Sequence, residues 1–121
     1  MPLEGELTHH LGNLSFLHIL NLTNTGLVGI IPADLGRLHR LRYLALTSNR
    51  LSGAIPPTIG NLTRLQHLLL GNNALSGLIP PRLLQNLGNL ERFSLAANEL
   101  SGQIPPYFFN NTPSLRYILC S

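Results

Sequence analysis

Lysine and tryptophan are both missing from this sequence, and cysteine and methionine occur once each. All eight basic side chains are therefore arginines. Without lysine the chain holds no P-loop lysine, no ATP-pairing lysine of a kinase and no Schiff-base lysine. Acids are almost as scarce: one aspartate, Asp34, and four glutamates, Glu4, Glu6, Glu91 and Glu99. A net charge of +3 is a weak signal for a nucleic-acid or acidic-membrane partner. The single cysteine, Cys120, excludes an internal disulfide and a cysteine-rich metal site. Long apolar runs are absent too. The longest aliphatic run is Leu68-Leu69-Leu70, far short of the about 20 apolar residues of a membrane span. The opening MPLEGELTHH has no basic segment followed by an apolar one, so no signal peptide is read there. Taken as a true start, Met1 places the chain in the cytoplasm.

Leucine supplies 29 of the 121 residues, and its positions are periodic. Leu17-His-Ile-Leu20-Asn-Leu22 aligns with Leu41-Arg-Tyr-Leu44-Ala-Leu46, with Leu65-Gln-His-Leu68-Leu-Leu70 and with Leu90-Glu-Arg-Phe93-Ser-Leu95. A fifth copy starts at Leu115-Arg-Tyr-Ile118-Leu-Cys120, so the periods are 24, 24, 25 and 25 residues. A 20–29 residue period carrying L-x-x-L-x-L-x-x-N is the leucine-rich repeat pattern, a horseshoe solenoid. The predicted fold is an α/β solenoid with a parallel concave β-sheet and short helical or 3-10 convex segments. The two leucines at spacing two in each copy mark a strand with one buried face.

The other fixed letters have physical reasons. Asn49, Asn73 and Asn98 each follow three residues after the last leucine of their copy. A buried carboxamide has two donor hydrogens and an acceptor oxygen, enough to satisfy turning backbone inside the coil. Stacked copies set these side chains one above another as a ladder. Thr25 occupies the ladder position of the first copy, so that end is expected to be weaker. In the second half of each copy, Leu27-Val-Gly29-Ile-Ile31-Pro32 aligns with Leu51-Ser-Gly53-Ala-Ile55-Pro56, Leu75-Ser-Gly77-Leu-Ile79-Pro80 and Leu100-Ser-Gly102-Gln-Ile104-Pro105. Glycine suits a sharp bend, and proline the exit from a short extended piece. A short helical or 3-10 turn is expected next, around Leu35, Ile59, Leu83 and Phe108, with Gly36 and Gly60 punctuating it. The one-residue insertions fall in Leu83–Asn86 and Phe108–Asn111, in the convex loop, where they leave sheet register intact.

The pattern L-x-x-L-x-L-x-x-N-x-L-x-G-x-I-P-x-x-L-G-x-L resembles the plant-specific class of extracellular leucine-rich repeats. That class forms the ectodomains of receptor-like kinases and receptor-like proteins, and also polygalacturonase-inhibiting proteins. HLGNLSFLHILNLTNTGL, IGNLTRLQHL and FNNTPSLRYI are similar to N-terminal repeats of grass receptor kinases of the innate-immunity group. The resemblance implies a parent with a signal peptide, a capped repeat array, one membrane helix and a cytoplasmic Ser/Thr kinase. It implies a peptide or protein ligand with a co-receptor, and a location on the outer face of the plasma membrane. The cap cysteines of the family are missing. Residues 1–13 read as a partial repeat, 14–37, 38–61, 62–86 and 87–111 as full repeats, and 112–121 as a truncated one. Uncapped ends with an unpaired last strand predict self-association. The alternatives are a secreted polygalacturonase inhibitor and a remnant without function.

Residues between the strand leucines are expected on the concave face. The first column is Ile19, Tyr43, His67, Arg92, Tyr117. The second is Asn21, Ala45, Leu69, Ser94, Leu119, and the third Thr23, Thr47, Gly71, Ala96, Ser121. Tyr and Arg are frequent interface anchors, so Tyr43, His67, Arg92 and Tyr117 are the candidate ligand-binding residues. Four N-x-S/T sequons, at Asn13, Asn21, Asn61 and Asn110, are candidate glycosylation sites. The five histidines pair with no carboxylate or cysteine at ligand spacing, so no metal and no cofactor are expected. Asp34 lies in a convex segment far from His67, which leaves no Ser-His-Asp set, and no catalytic residue is assigned. The cluster Arg37-Leu-His39-Arg40-Leu-Arg42 reads as solubilising charge. Cys120 takes a leucine slot, so it is expected to face the core in a complete array and to be an edge thiol open to oxidation in this fragment.

Overall fold

The protein is described by a computed structural model that covers residues 5–102 and 117–119. The calls on Asn110, Phe108, Ile104, Pro105 and Cys120 lie outside these residues.

Each L-x-x-L-x-L segment forms a three-residue strand. These are β1 (Ile19–Asn21), β3 (Tyr43–Ala45), β5 (His67–Leu69), β7 (Arg92–Ser94) and β9 (Tyr117–Leu119). They pair in parallel in the order β1-β3-β5-β7-β9. Between them run β2 (Val28–Ile30), β4 (Arg50–Gly53), β6 (Ala74–Leu78) and β8 (Glu99–Ser101). The extended pieces around the L-x-G motifs thus build a second parallel sheet, β2-β4-β6-β8. Its register is oblique to the repeat: Gly29 faces Leu51 and not Gly53, and Gly77 faces Leu100. Parallel strands need crossover connections, and the convex segments supply them.

The leucines fill the space between the layers. Leu35, Leu38, Leu41, Leu44 and Leu46 have no exposed surface, and Leu62, Leu65 and Leu68 repeat them one turn on. Phe93 takes the slot of a leucine and is equally buried. Burying a Leu-sized side chain stabilises by about 1.5–3 kcal/mol, so the lattice is the main favourable term. The matching residues of the first copy, Leu11, Leu17, Leu20 and Leu22, are only partly covered.

Backbone polarity inside the coil is met by the asparagines. The Asn73 amide nitrogen donates to the carbonyls of Leu46 (3.0 Å) and Leu70 (3.2 Å), one in each of two adjacent repeats. Its oxygen accepts from the Leu51 N–H at 3.0 Å. Asn49 does the same with Leu22, Leu46 and the Leu27 N–H, and Asn98 with Leu70, Leu95 and the Leu75 N–H. The Thr25 hydroxyl donates to Leu22 O at 2.7 Å, and the Thr25 N–H donates to the Asn49 carboxamide oxygen at 3.1 Å. The residue before each ladder position is left-handed: Asn24, Ser48, Asn72 and Ala97 have φ between 54° and 60°. Gly29, Gly53, Gly77 and Gly102 are left-handed as well, with φ of 75–85°, which glycine adopts at no steric cost.

The convex segments follow Pro32, Pro56 and Pro80. Ala33–Arg37 and Pro57–Asn61 are 3-10 turns, as is His9–Asn13 nearer the start. The third, Pro81–Asn86, is a short α-helix, α1. Its extra residue widens the closing bond: Leu87 N–H reaches Leu83 O, four residues back, where Leu38 and Leu62 reach three residues back. A one-residue insertion is thereby absorbed and Leu68 still faces Phe93.

Gly36 and Gly60 do not end these turns but sit inside them, buried. Neither has a left-handed φ; their role is close approach. A Cβ on Gly36 would lie 2.5 Å from the Thr58 carbonyl oxygen, and one on Gly60 would lie 2.9 Å from that of Arg82. Successive convex turns pack backbone against backbone there. Gly36→Ala should therefore lower stability by about 1–3 kcal/mol, whereas Gly5→Ala, where an added methyl meets nothing within 4 Å, should leave it unchanged. Urea unfolding of the two variants checks this, and equal midpoints would remove the close-packing account.

Candidate functional site

The concave face is built by register. Ile19, Tyr43, His67, Arg92 and Tyr117 are direct partners across the five strands. Adjacent strands in a sheet lie about 4.8 Å apart, so the first column is one continuous row. Ile19 and Arg92 are exposed, and Tyr43 and His67 are half-buried. The backbone of Tyr117 continues the row, and its side chain is outside the described residues. Tyr43 and His67 touch: their ring centroids are 5.3 Å apart at a tilt of 38°. His67 Nδ1 is buried with no hydrogen-bond partner. Of the two ring nitrogens, only Nε2 remains for an outside contact. The row thus offers an aromatic shelf flanked by a guanidinium, on elements with little freedom to rearrange.

The second and third columns are less open than their alternation predicts. Ala45 is 1% exposed, because its methyl lies in register between the longer Asn21 and Leu69. Gly71 is buried as well, close to Ser94 and Ala96 of the next repeat. Thr23, Thr47, Leu69 and Ser94 keep some exposure.

A further column lies beside the first, and alternation alone does not reveal it. His18, Arg42, Gln66 and Glu91 directly precede the strands. The carbonyl of His18 accepts two N–H groups, from Arg42 at 2.8 Å and Tyr43 at 3.2 Å. Arg42 and Gln66 carbonyls do the same for the next two strands. Two consecutive residues therefore share one partner residue at each strand entry. The signal was the two-residue gap in L-x-x-L, which leaves two outward positions where a strict alternation has one.

The sequons separate in space. Asn13 ends the first convex turn and is exposed. Asn21 lies on β1, exposed, with its carbonyl oxygen accepting from the Thr23 N–H at 3.1 Å and the Thr23 hydroxyl at 2.7 Å. Asn61 is half-buried in a convex turn, and its oxygen accepts from the Arg82 guanidinium at 2.8 Å. Among the described residues no group of three His, Cys, Asp or Glu side chains is arranged to hold a metal ion. No helix among them is long and apolar enough to cross a membrane.

The pattern described as Leucine Rich Repeat matches residues 16–38, 40–62, 64–86 and 89–111. No curated protein matches the chain. Solved structures do. The ectodomain of the receptor kinase SOBIR1 from Arabidopsis thaliana is 39% identical with a TM-score of 0.86, over 93% of this chain and 61% of that one. The ectodomain of the Arabidopsis receptor kinase HAESA, in complex with an IDA peptide hormone ligand, is 38% identical with a TM-score of 0.81, over 94% of this chain and 18% of that one. A plant ice-binding protein is 38% identical with a TM-score of 0.87, over 96% of this chain and 37% of that one. The chain thus spans less than two thirds of each of these relatives. Relatives named for receptor kinases and for ice binding share this scaffold, and a fold alone does not fix a function.

Contact between the Tyr43 and His67 rings should be measurable. A double-mutant cycle on Tyr43→Ala and His67→Ala, read by urea unfolding, should give a coupling of about 0.5–1 kcal/mol. Strict additivity would mean that the two rings do not form a shelf in solution.

Proposed function

This chain belongs to the leucine-rich repeat family, and on that premise we propose that it is a stretch of a plant receptor-kinase ectodomain that binds a peptide or protein on its concave sheet. The observation that carries the reading is the row Tyr43, His67, Arg92, held in register on three neighbouring strands. Tyrosine and arginine dominate interface energetics, and sites on regular elements are more precise than sites on loops. The chain supplies binding and no phosphoryl transfer, since 121 residues without a lysine hold no ATP-pairing group. On this proposal the chain works outside the cell, in signalling of the innate-immunity type, with a co-receptor as second partner. Its repeats are taken as 14–37, 38–61, 62–86 and 87–111. Among the described residues, Asn13 and Asn21 are the sequons best placed to carry glycans, because both are exposed. Asn61 is tied to Arg82. A glycan on Asn21 would confine a ligand to the strands from β3 onward.

The test uses the whole chain, secreted from plant cells. Peptides selected against it from a random displayed library should lose at least about tenfold in affinity on the Tyr43→Ala, His67→Ala, Arg92→Ala variant, the loss of one or two anchor contacts. Circular dichroism should show that the variant keeps its fold. Peptides that bind the variant as tightly as the parent would remove the concave row as the site.

A further inference from the structure

Basic side chains gather on one flank of this solenoid. Arg37 closes the convex turn Ala33–Arg37, His39 and Arg40 form the turn that follows, and Arg42 leads into β3. Arg64 repeats the position of Arg40 one turn on. All five side chains are exposed. Asp34 is the nearest acid to Arg37, at 3.8 Å with the guanidinium well exposed and the carboxylate half-buried, and so long a contact with one solvated partner contributes little. Among the described residues no carboxylate pairs with Arg40, Arg42 or Arg64. Glu91 reverses the sign of the column only two strands beyond Arg42. A hollow of about 320 Å³ opens on the same flank beside Arg37, His39 and Asn61. The opposite flank has Asn24, Ser48, Asn72 and Ala97 at its turns, with Glu6 bridged to β2, Arg50 on β4 and Glu99 on β8 as its charges.

The basic flank is continuous with the aromatic row, because Arg42 and Tyr43 share the His18 carbonyl. From this we propose that the ligand of the concave row is an acidic peptide, with its carboxylates over Arg40, Arg42 and Arg64 and its aromatic or apolar side chains on the Tyr43–His67 shelf. The inference rests on the peptide-binding reading above. A chain crossing four strands about 4.8 Å apart spans about 14 Å and needs about five extended residues, so the recognised segment is short. Solvated arginines act mainly on encounter: a one-signed surface raises association rates by about 10- to 1,000-fold at low salt. The effect fades as the screening length falls from about 10 Å at 0.1 M salt to about 3 Å at 1 M.

Three fluorescent peptides of one length separate the possibilities: an alternating Glu-Tyr sequence, its Gln-Tyr counterpart and an Arg-Tyr one. Binding to the whole chain is read by anisotropy at low and high salt. The Glu-Tyr peptide should bind at least about tenfold tighter than Gln-Tyr at low salt, and lose that margin at about 1 M. The Arg40→Gln, Arg42→Gln, Arg64→Gln variant should lose the margin at any salt, while Arg50→Gln on the other flank keeps it. Equal binding of Glu-Tyr and Gln-Tyr would overturn the acidic-ligand inference and leave the peptide reading standing. If none of the three peptides binds, the peptide reading itself fails. Arginine-dependent binding of polygalacturonate with no binding of Glu-Tyr would make the flank a polysaccharide surface and overturn the inference.

Discussion

Everything in this molecule hangs on one carboxamide repeated through the coil. A turning backbone buried between two sheets leaves carbonyls and N–H groups that water does not reach, and each unsatisfied one costs about 1–3 kcal/mol. Asn73 answers this with both donor hydrogens and its oxygen at once, and its partners Leu46 and Leu70 belong to different repeats. The same side chain therefore closes its own turn and fastens it to the previous one. Leucine burial supplies more energy, but it is non-directional. The asparagines and the backbone ladders convert a layered hydrophobic interior into a stack with a defined rise.

The concave row depends on that rise. Tyr43, His67 and Arg92 are separated by whole repeats in the chain and share a row only because the stacking offset is constant. The convex side has to keep pace, and there the glycines matter: Gly36 and Gly60 let one turn settle onto the carbonyl oxygens of the next. Where the repeat gains a residue, the convex segment changes from a 3-10 turn to the α-helix Pro81–Asn86, and the strand pairing of Leu68 with Phe93 is untouched. Among the described residues, the inserted residue lies on the face away from the row.

Much of this was legible in the residues, and the reason is that each repeated letter performs one job. Leucines at spacing two mark the buried side of a strand, and an asparagine three residues later marks the ladder. The family, the fold and the concave row follow from those letters. What escaped has a physical cause in each case. The second sheet depends on an oblique register that no single repeat encodes. Gly36 was read as punctuation because its crowding comes from Thr58, in the next repeat. Ala45 was expected outside and is covered by neighbours on both adjoining strands. The column His18, Arg42, Gln66, Glu91 was hidden by strict alternation, although the two-residue gap in L-x-x-L contains it, and with it the link from basic flank to concave row.

The most direct measurement is the response of the whole stack to the loss of one ladder side chain. In Asn73→Ala the Leu51 N–H loses its partner, and the Leu46 and Leu70 carbonyls each lose one of two carboxamide donors, keeping Asn49 and Asn98, which should cost about 1–3 kcal/mol of unfolding free energy. Amide hydrogen exchange should show lost protection in both adjoining repeats, at the Leu51 and Leu70 amides together. A loss below about 1 kcal/mol, within the range of an ordinary surface substitution, with protection unchanged outside the altered turn, would contradict the claim that the asparagine ladder couples the repeats.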